Sequence, residues 1–535
     1  MKQRTHSVAA LLVAGASVLA LAACTGPTPT APPTVTSAIS AGDTVSLDAG
    51  KIRGSVDDGY RYFQGVPYAA PPTGEQRWST PEPPEKWAGT KDGTAVASRC
   101  IQAPMTLPGL DSGAPESEDC LTLNVSTPLD AHASSDYGVL FWIPGGGYLV
   151  GSGDSYGGKT LATEGNLVVV TINYRLGPLG WSSDPHLDAD GDGANAGNYG
   201  LQDQLAALAW VKENISEFGG NPEKITVAGE SMGSQSVCNV LAAPEAAGQF
   251  QSAIVLSGPC ISYGATTAAT SSAFSESVGC TTTGADEKAC MDALPAEDLR
   301  EGLSGPDLTV EPAPMTADKL VDAIHDIPVL IGFNTDEGRY FANLHAEELG
   351  DEQAYRDSVA QGVTSGGFTG DVQELLDLYP SSNYGGDILL AYAAMQTDQQ
   401  FVCNTNYASS QFSVNNPVYQ YEFSDEHAPV PTGMAEAVPS KASHTLELQY
   451  LFDMEGYEPM SASQQELSEF MVDAWSQFVN TGNPNTPQSD GWQTFAESDG
   501  GRLRLSPEGR EMVTDDPVAE RPGCVYWSAQ NVVSN

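Results

Sequence analysis

Apolar residues recur along this chain in two periods. Thr44–Gly65 alternates apolar with polar positions, the pattern of half-buried strands, and reads as a β-meander. Short apolar runs follow at Leu121–Val125, Val139–Ile143, Leu167–Asn173, Ala253–Leu256 and Val329–Phe333, and each predicts a strand. Val418–Phe423 is strand-like as well. Leu205, Leu208, Val211, Ile215 and Phe218 are spaced for one helix face, which Gly219-Gly220 and Pro222 should end. Glu466–Val479 carries Phe470, Trp475 and Phe478 in a helical pattern, and those aromatics read as core. The elements fit an α/β fold with a central, mostly parallel sheet flanked by helices. Segments 262–310 and 343–397 read as helical insertions forming a cap, a device that often controls access. No internal repeat is evident.

One strand-like run ends in chemistry. Residues 224–236 pass from Lys-Ile-Thr-Val-Ala into Gly229-Glu230-Ser231-Met232-Gly233, with a helix predicted over Ser234–Leu241. This is the G-x-S-x-G nucleophile elbow in its strand–turn–helix setting. A serine hydroxyl is a weak nucleophile and must be lifted clear of the backbone to meet a base. The sharp turn crowds the positions two before and two after it, and Gly229 and Gly233 have no Cβ to clash. Downstream, the strand Ile327–Phe333 leads into two adjacent carboxylates, Asp336 and Glu337, either of which would serve as the acid. Three histidines follow. His345 lies in the same local segment, His427 decorates a loop, and His444 precedes an apolar run able to anchor it; His444 is the best candidate base. Gly145-Gly146-Gly147, after the strand Val139–Ile143, offers backbone donors for an oxyanion.

Several further motifs resemble those of the type-B carboxylesterases, which include bacterial esterases, some lipases and the cholinesterases. They are Gly65-Val66-Pro67-Tyr68-Ala69-Ala70-Pro71-Pro72-Thr73-Gly74, Arg77-Trp78, Ser117-Glu118-Asp119-Cys120-Leu121-Thr122-Leu123-Asn124-Val125, Gly145-Gly146-Gly147-Tyr148, Asn198-Tyr199-Gly200-Leu201-Gln202-Asp203-Gln204 and Thr481-Gly482-Asn483-Pro484-Asn485. The resemblance runs from about Val45 to Trp527 and implies an α/β-hydrolase fold. It implies Glu337 as the triad acid, with Asp336 the fallback, and supports His444 as base to Ser231. The oxyanion donors it implies are the N–H groups of Gly146, Gly147 and Met232. It pairs Cys100 with Cys120, Cys280 with Cys290 and Cys403 with Cys524; Cys238 and Cys260 are left as a fourth bridge or two buried thiols. Two positions depart from the pattern: Pro144 stands where many relatives have His, and Met232 where most have Ala. The first leaves backbone donors intact, and the second reshapes the pocket.

The activity so implied is hydrolysis of small-molecule carboxylic esters through an acyl-enzyme, with no cofactor and no catalytic metal. Relatives that have lost the triad and act in adhesion or binding are the alternative class, and a lipase for longer acyl chains is the nearer variant. Cholinesterase activity is disfavoured because Met105–Glu118 lacks a tryptophan to stack on a choline ammonium.

Composition supplies the setting. The 535 residues carry a formal charge of −46, which repels nucleic acid and anionic membranes. Lys2, Arg4 and the apolar Val8–Ala23 stretch read as a signal peptide over residues 1–23, too short for a permanent span. It ends in Leu21-Ala22-Ala23-Cys24, which resembles a bacterial lipobox and implies lipidation of Cys24. Residues 24–42 read as a flexible Pro/Thr/Ser tether and 43–535 as the catalytic domain. The expected location is extracytoplasmic and lipid-anchored, with plain secretion the alternative; nine cysteines suit an oxidising compartment. Asp188-Ala189-Asp190-Gly191-Asp192-Gly193 copies the start of a calcium loop, but Tyr199 stands at the twelfth position where a bidentate Glu is needed. A solvated acidic loop is the favoured reading of that segment.

Overall fold

The apolar runs become strands whose two faces are both covered. In a computed structural model, residues 43–533 are described except 58, 106, 189–195, 261–273, 282–283, 303–325, 366–370, 435 and 487–490. The signal peptide, the tether, Cys24 and nearly all of the acidic 188–193 segment therefore lie outside the described residues.

In chain order the strands are β1 (Thr44–Leu47), β2 (Gly50–Arg53), β3 (Ser55–Asp57), β4 (Tyr60–Pro67), β5 (Thr90–Asp92), β6 (Thr122–Pro128) and β7 (Tyr137–Ile143). They continue as β8 (Leu167–Ile172), β9 (Gly220–Glu230), β10 (Ser252–Leu256), β11 (Val329–Asn334), β12 (Val418–Phe423), β13 (Arg502–Ser506) and β14 (Gly509–Val513). An 11-stranded sheet runs β14-β13-β12-β11-β10-β9-β7-β8-β6-β4-β3. From β13 to β8 every neighbour is parallel, and β14, β6, β4 and β3 add antiparallel edges. The predicted meander over Thr44–Gly65 divides instead. β1 and β2 pair with β5 in a separate three-stranded sheet, while β3 and β4 join the large one.

Alternation along each strand sends side chains to opposite layers. Val139, Phe141 and Ile143 of β7 pack with Val168 and Val170 of β8 on one face, under Leu205, Leu208 and Val211 of the helix Tyr199–Asn214. Leu140 and Trp142 point the other way and pack with Leu467, Met471, Trp475 and Phe478 of the helix Ala462–Thr481. The helix face read from Leu205 to Phe218 tightens into a 3-10 turn over Ile215–Phe218 and stops at Gly219, whose φ of 90° is left-handed. β9 starts directly at Gly220.

Two buried ion pairs explain Arg77, Glu118 and Asp203, which the sequence showed only within motifs. Arg175 binds Asp203 through both guanidinium and backbone N–H donors, at 2.7 to 3.0 Å. Arg77 grips Glu118 at 2.5 and 3.0 Å and also donates to the carbonyls of Met291 and Leu294. Removing one partner of such a pair typically costs about 3–5 kcal/mol, because a charge is left buried alone.

All three expected disulfides are present, and Cys238–Cys260 is a fourth. Cys238 lies on the helix after the elbow, and Cys260 lies just past β10. Parallel pairing of β9 with β10 sets Leu256 beside Glu230 and so brings the two cysteines together.

Candidate active site

Three strand ends meet at one edge of the sheet. β9 ends at Glu230, and the chain turns at once into the helix Met232–Ala242. Ser231 occupies that turn with φ 57° and ψ −127°, a conformation costly for a residue with a Cβ. A Cβ at Gly229 would lie 2.4 Å from the Gly233 carbonyl oxygen, and one at Gly233 would lie 2.1 Å from that of Ile143. The elbow therefore demands both glycines.

β11 ends at Asn334, and Glu337 follows at the start of the helix Gly338–Leu344. Its carboxylate is fully buried; Oε1 accepts from the Asn334 N–H at 2.7 Å, and Oε2 lies 2.7 Å from His444 Nδ1. His444 Nε2 lies 2.9 Å from Ser231 Oγ. Asp336, the fallback acid, turns away and accepts from Arg339 at 2.7 Å. His427 is exposed, and its backbone N–H donates to Asp425. His345 lines the same cavity as Ser231, but its Nδ1 engages Glu348 at 2.9 Å. The structure thus brings together Ser231, His444 and Glu337, and not the alternatives.

The glycine turn after β7 faces the serine. Gly146 and Gly147 take φ of 111° and 67°. With Ser231 and Met232 they line one cavity of about 220 Å³. The N–H groups of Gly146, Gly147 and Met232 find no acceptor among the described residues. Three unspent donors beside Ser231 on one cavity suit an oxygen that acquires negative charge.

Sequence reasoning missed several groups here. Glu230 is fully buried, and its Oε1 stands 3.2 Å from His444 Nε2. A Cβ on Gly145 would sit 2.9 Å from Glu230 Oε2, so that glycine makes room for the carboxylate. Glu447, also fully buried, accepts from Ser257 Oγ at 3.0 Å and from the Asn334 side-chain amide. Phe401 and Phe341 pack on the imidazole with centroids at 4.7 and 5.2 Å. Phe401 comes from a π-helical turn over Thr397–Val402, which the Cys403–Cys524 bridge immediately follows. Glu230 was visible as the second residue of the elbow. Glu447, three places after His444, carried no signal beyond that spacing.

Burial and charge compete over these groups. Burial alone would lower the pKa of His444, but Glu230, Glu337 and Glu447 outweigh it and push it up to about 9. Burial, followed by the Glu337 charge, raises Glu447 to about 7. Burial drives Glu230 well above the usual carboxylate range. A protonated imidazole cannot take the serine proton, so kcat/KM should rise with pH through the His444 titration. The Glu230 charge favours the imidazolium; Glu230→Gln should therefore move the acidic limb of kcat/KM to lower pH. A pH–rate profile checks this, and a limb that stays or moves up would mean that Glu230 carries no charge in the working range.

Of the two expected cap insertions, the second reaches the cavity through Leu344 and His345 at its start, flanked outside its bounds by Phe341, Gln400 and Phe401. Among the described residues, the helices Ala285–Ala293 and Ala296–Gly302 of the first do not line it. Part of the remaining wall comes from Met105, Leu107 and Leu110, inside the loop closed by Cys100–Cys120.

A serine aligned with an imidazole and a carboxylate, above the carboxyl ends of a mostly parallel sheet, defines the serine-hydrolase class built on the α/β-hydrolase fold. Comparison with known proteins narrows the class. The chain belongs to the carboxylesterase family, whose sequence pattern matches residues 41–521. It is 35% identical over 512 residues to the para-nitrobenzyl esterase of Bacillus subtilis (strain 168), covering 89% of this chain and 97% of that protein. It is 32% identical over 483 residues to a cocaine esterase of Oryctolagus cuniculus, covering 83% and 89% respectively. A solved structure of PNB esterase superposes with a TM-score of 0.72 at 31% identity, over 90% of this chain and 99% of that one. The chain is accordingly a carboxylic ester hydrolase.

Proposed function

We propose that the protein is an extracytoplasmic serine carboxylesterase that works through an acyl-enzyme on short, uncharged esters. The observation that carries this reading is the hydrogen-bonded line from Ser231 Oγ through His444 to Glu337, at 2.9 and 2.7 Å. Ser231 Oγ attacks the ester carbonyl carbon as its proton passes to His444 Nε2. The carbonyl oxygen becomes an oxyanion held by the N–H groups of Gly146, Gly147 and Met232. Collapse expels the alcohol, which takes the proton from Nε2, and leaves the acyl group on Ser231. A water then gives its proton to Nε2, attacks the acyl carbon and releases the acid with Ser231 restored. Glu337 holds the ring and favours the imidazolium throughout.

The cavity supports the substrate class. It is walled largely by apolar side chains such as Met105, Leu107, Leu149, Met232, Phe341 and Phe401. Its 220 Å³ falls below the roughly 300–1,000 Å³ typical of pockets for larger ligands. Among p-nitrophenyl esters, kcat/KM should peak at short acyl chains and fall steeply by palmitate. A maximum at palmitate would replace this reading with that of a lipase.

Location rests on the sequence of residues 1–24 and on four disulfides, which suit an oxidising compartment. Mass spectrometry of the mature N-terminus should find a diacylglyceryl group on Cys24. An unmodified terminus at another residue would rule out the anchor.

A further inference from the structure

A second cluster of ligating side chains lies outside the catalytic cavity. Asp184 and His186 follow the short helix Gly177–Trp181, and Glu287 lies in the helix Ala285–Ala293. One ligand atom from each lies within 4.8 Å of the other two. Asp184 is 2% exposed and Glu287 4%, whereas the His186 side chain is 54% exposed. His186 Nδ1 stands 3.1 Å from Asp184 Oδ1, which also accepts the His186 backbone N–H at 2.8 Å.

The charges here do not balance. Among the described residues, the Glu287 carboxylate accepts no hydrogen bond although it is almost sealed from water. No lysine or arginine among them pairs with either carboxylate. Lys288, next in sequence, holds Asp292 at 2.7 Å; Arg300 faces Glu116, and Arg77 is spent on Glu118. Two carboxylates buried this close repel, and one half-exposed imidazole is a weak counter-charge. Buried charges in proteins are paired or bound to metal. The field at the helix start favours an acid in its first turn, but it does not account for Asp184 brought against Glu287.

We propose that Asp184, His186 and Glu287 bind a divalent cation of the Zn²⁺ type. Calcium and magnesium prefer all-oxygen shells, while one imidazole nitrogen with two carboxylates suits Zn²⁺. The exposed side of His186 gives a route in from solvent and room for water to complete the shell. The cation is structural. Arg77 already holds the end of this helix through the Met291 and Leu294 carbonyls, and Cys280–Cys290 closes its loop. A cation on Glu287 would tie the other end to the 184–186 segment, and its binding would stabilise the folded chain by mass action.

The test uses the full chain, stripped with EDTA and dialysed. Titration calorimetry with Zn²⁺ should find one site per chain, with Ca²⁺ and Mg²⁺ much weaker. Glu287→Gln and His186→Ala should each weaken Zn²⁺ binding about tenfold or more. Zn²⁺ should raise the thermal midpoint of the wild type and not that of Glu287→Gln. In EDTA the order should reverse or close, because Glu287→Gln removes the repulsion. Turnover of a short-chain ester should stay the same in all of these proteins, with or without EDTA, and so report that the variants are folded. Absence of a stoichiometric site, undiminished binding by Glu287→Gln, or equal affinity for Ca²⁺ would overturn the proposal. So would loss of binding in Asp190→Asn/Asp192→Asn with retention in Glu287→Gln, which would move the site to the acidic segment.

Discussion

Ser231→Ala should lower kcat for a short-chain p-nitrophenyl ester by roughly 10⁶-fold, the scale seen when a serine hydrolase loses its nucleophile. The substitution deletes one oxygen and leaves the donors at Gly146, Gly147 and Met232 in place. Residual rate above water would then come from those N–H groups and from binding alone. KM should change little, because the wall of the cavity is formed by other side chains. Folding should survive as well, since alanine accepts the turn no worse than serine does. Labelling by an organophosphonate should disappear in parallel. Turnover near that of the wild type would show that another group is the nucleophile.

His444→Ala should cost about as much as loss of the serine, because the two act as one unit and their effects do not add. Among the described residues, His444 Nε2 is the group that hydrogen-bonds Ser231 Oγ, at 2.9 Å. Glu337→Gln should cost less, on the order of 10⁴-fold, by presenting the wrong hydrogen-bonding partner to Nδ1. The double variant His444→Ala/Glu337→Gln should be no slower than His444→Ala alone, since the acid works only through the ring. Steady-state kinetics on the three proteins decides this. Damage from His427→Ala on the same scale, or full additivity in the double variant, would refute the assignment.

Much of the fold and the site is legible in the order of residues. The elbow is a local device whose spacing follows from backbone crowding, so Gly229, Ser231 and Gly233 can be read directly. Strands such as Val139–Ile143 are legible because burial on both faces of a parallel sheet calls for unbroken apolar runs. The choice between Asp336 and Glu337 is not open to pattern alone. Adjacent residues differ only in which way they point, and that is set by the register of β11 and the pairing of Asp336 with Arg339. Where the helices of the first expected insertion pack was not open to pattern for a similar reason. A helical stretch declares its own period, but not the surface on which it packs.

The sequence by itself determined the class of chemistry and the kind of sheet that supports it, because both depend on short-range sterics and on the burial of strands. Only the tertiary structure decided which carboxylates surround His444. Glu230, Glu337 and Glu447 come from three separate segments, and of the three the sequence singled out only Glu337 as an acid of the site. Chain folding buries all three around one imbalance of charge, and the push on the imidazole, up to about 9, arises there. The fourth bridge, between Cys238 and Cys260, was likewise undecided until parallel pairing of β9 and β10 set their elements side by side. Contacts of this kind depend on distance in space, which spacing along the chain does not record.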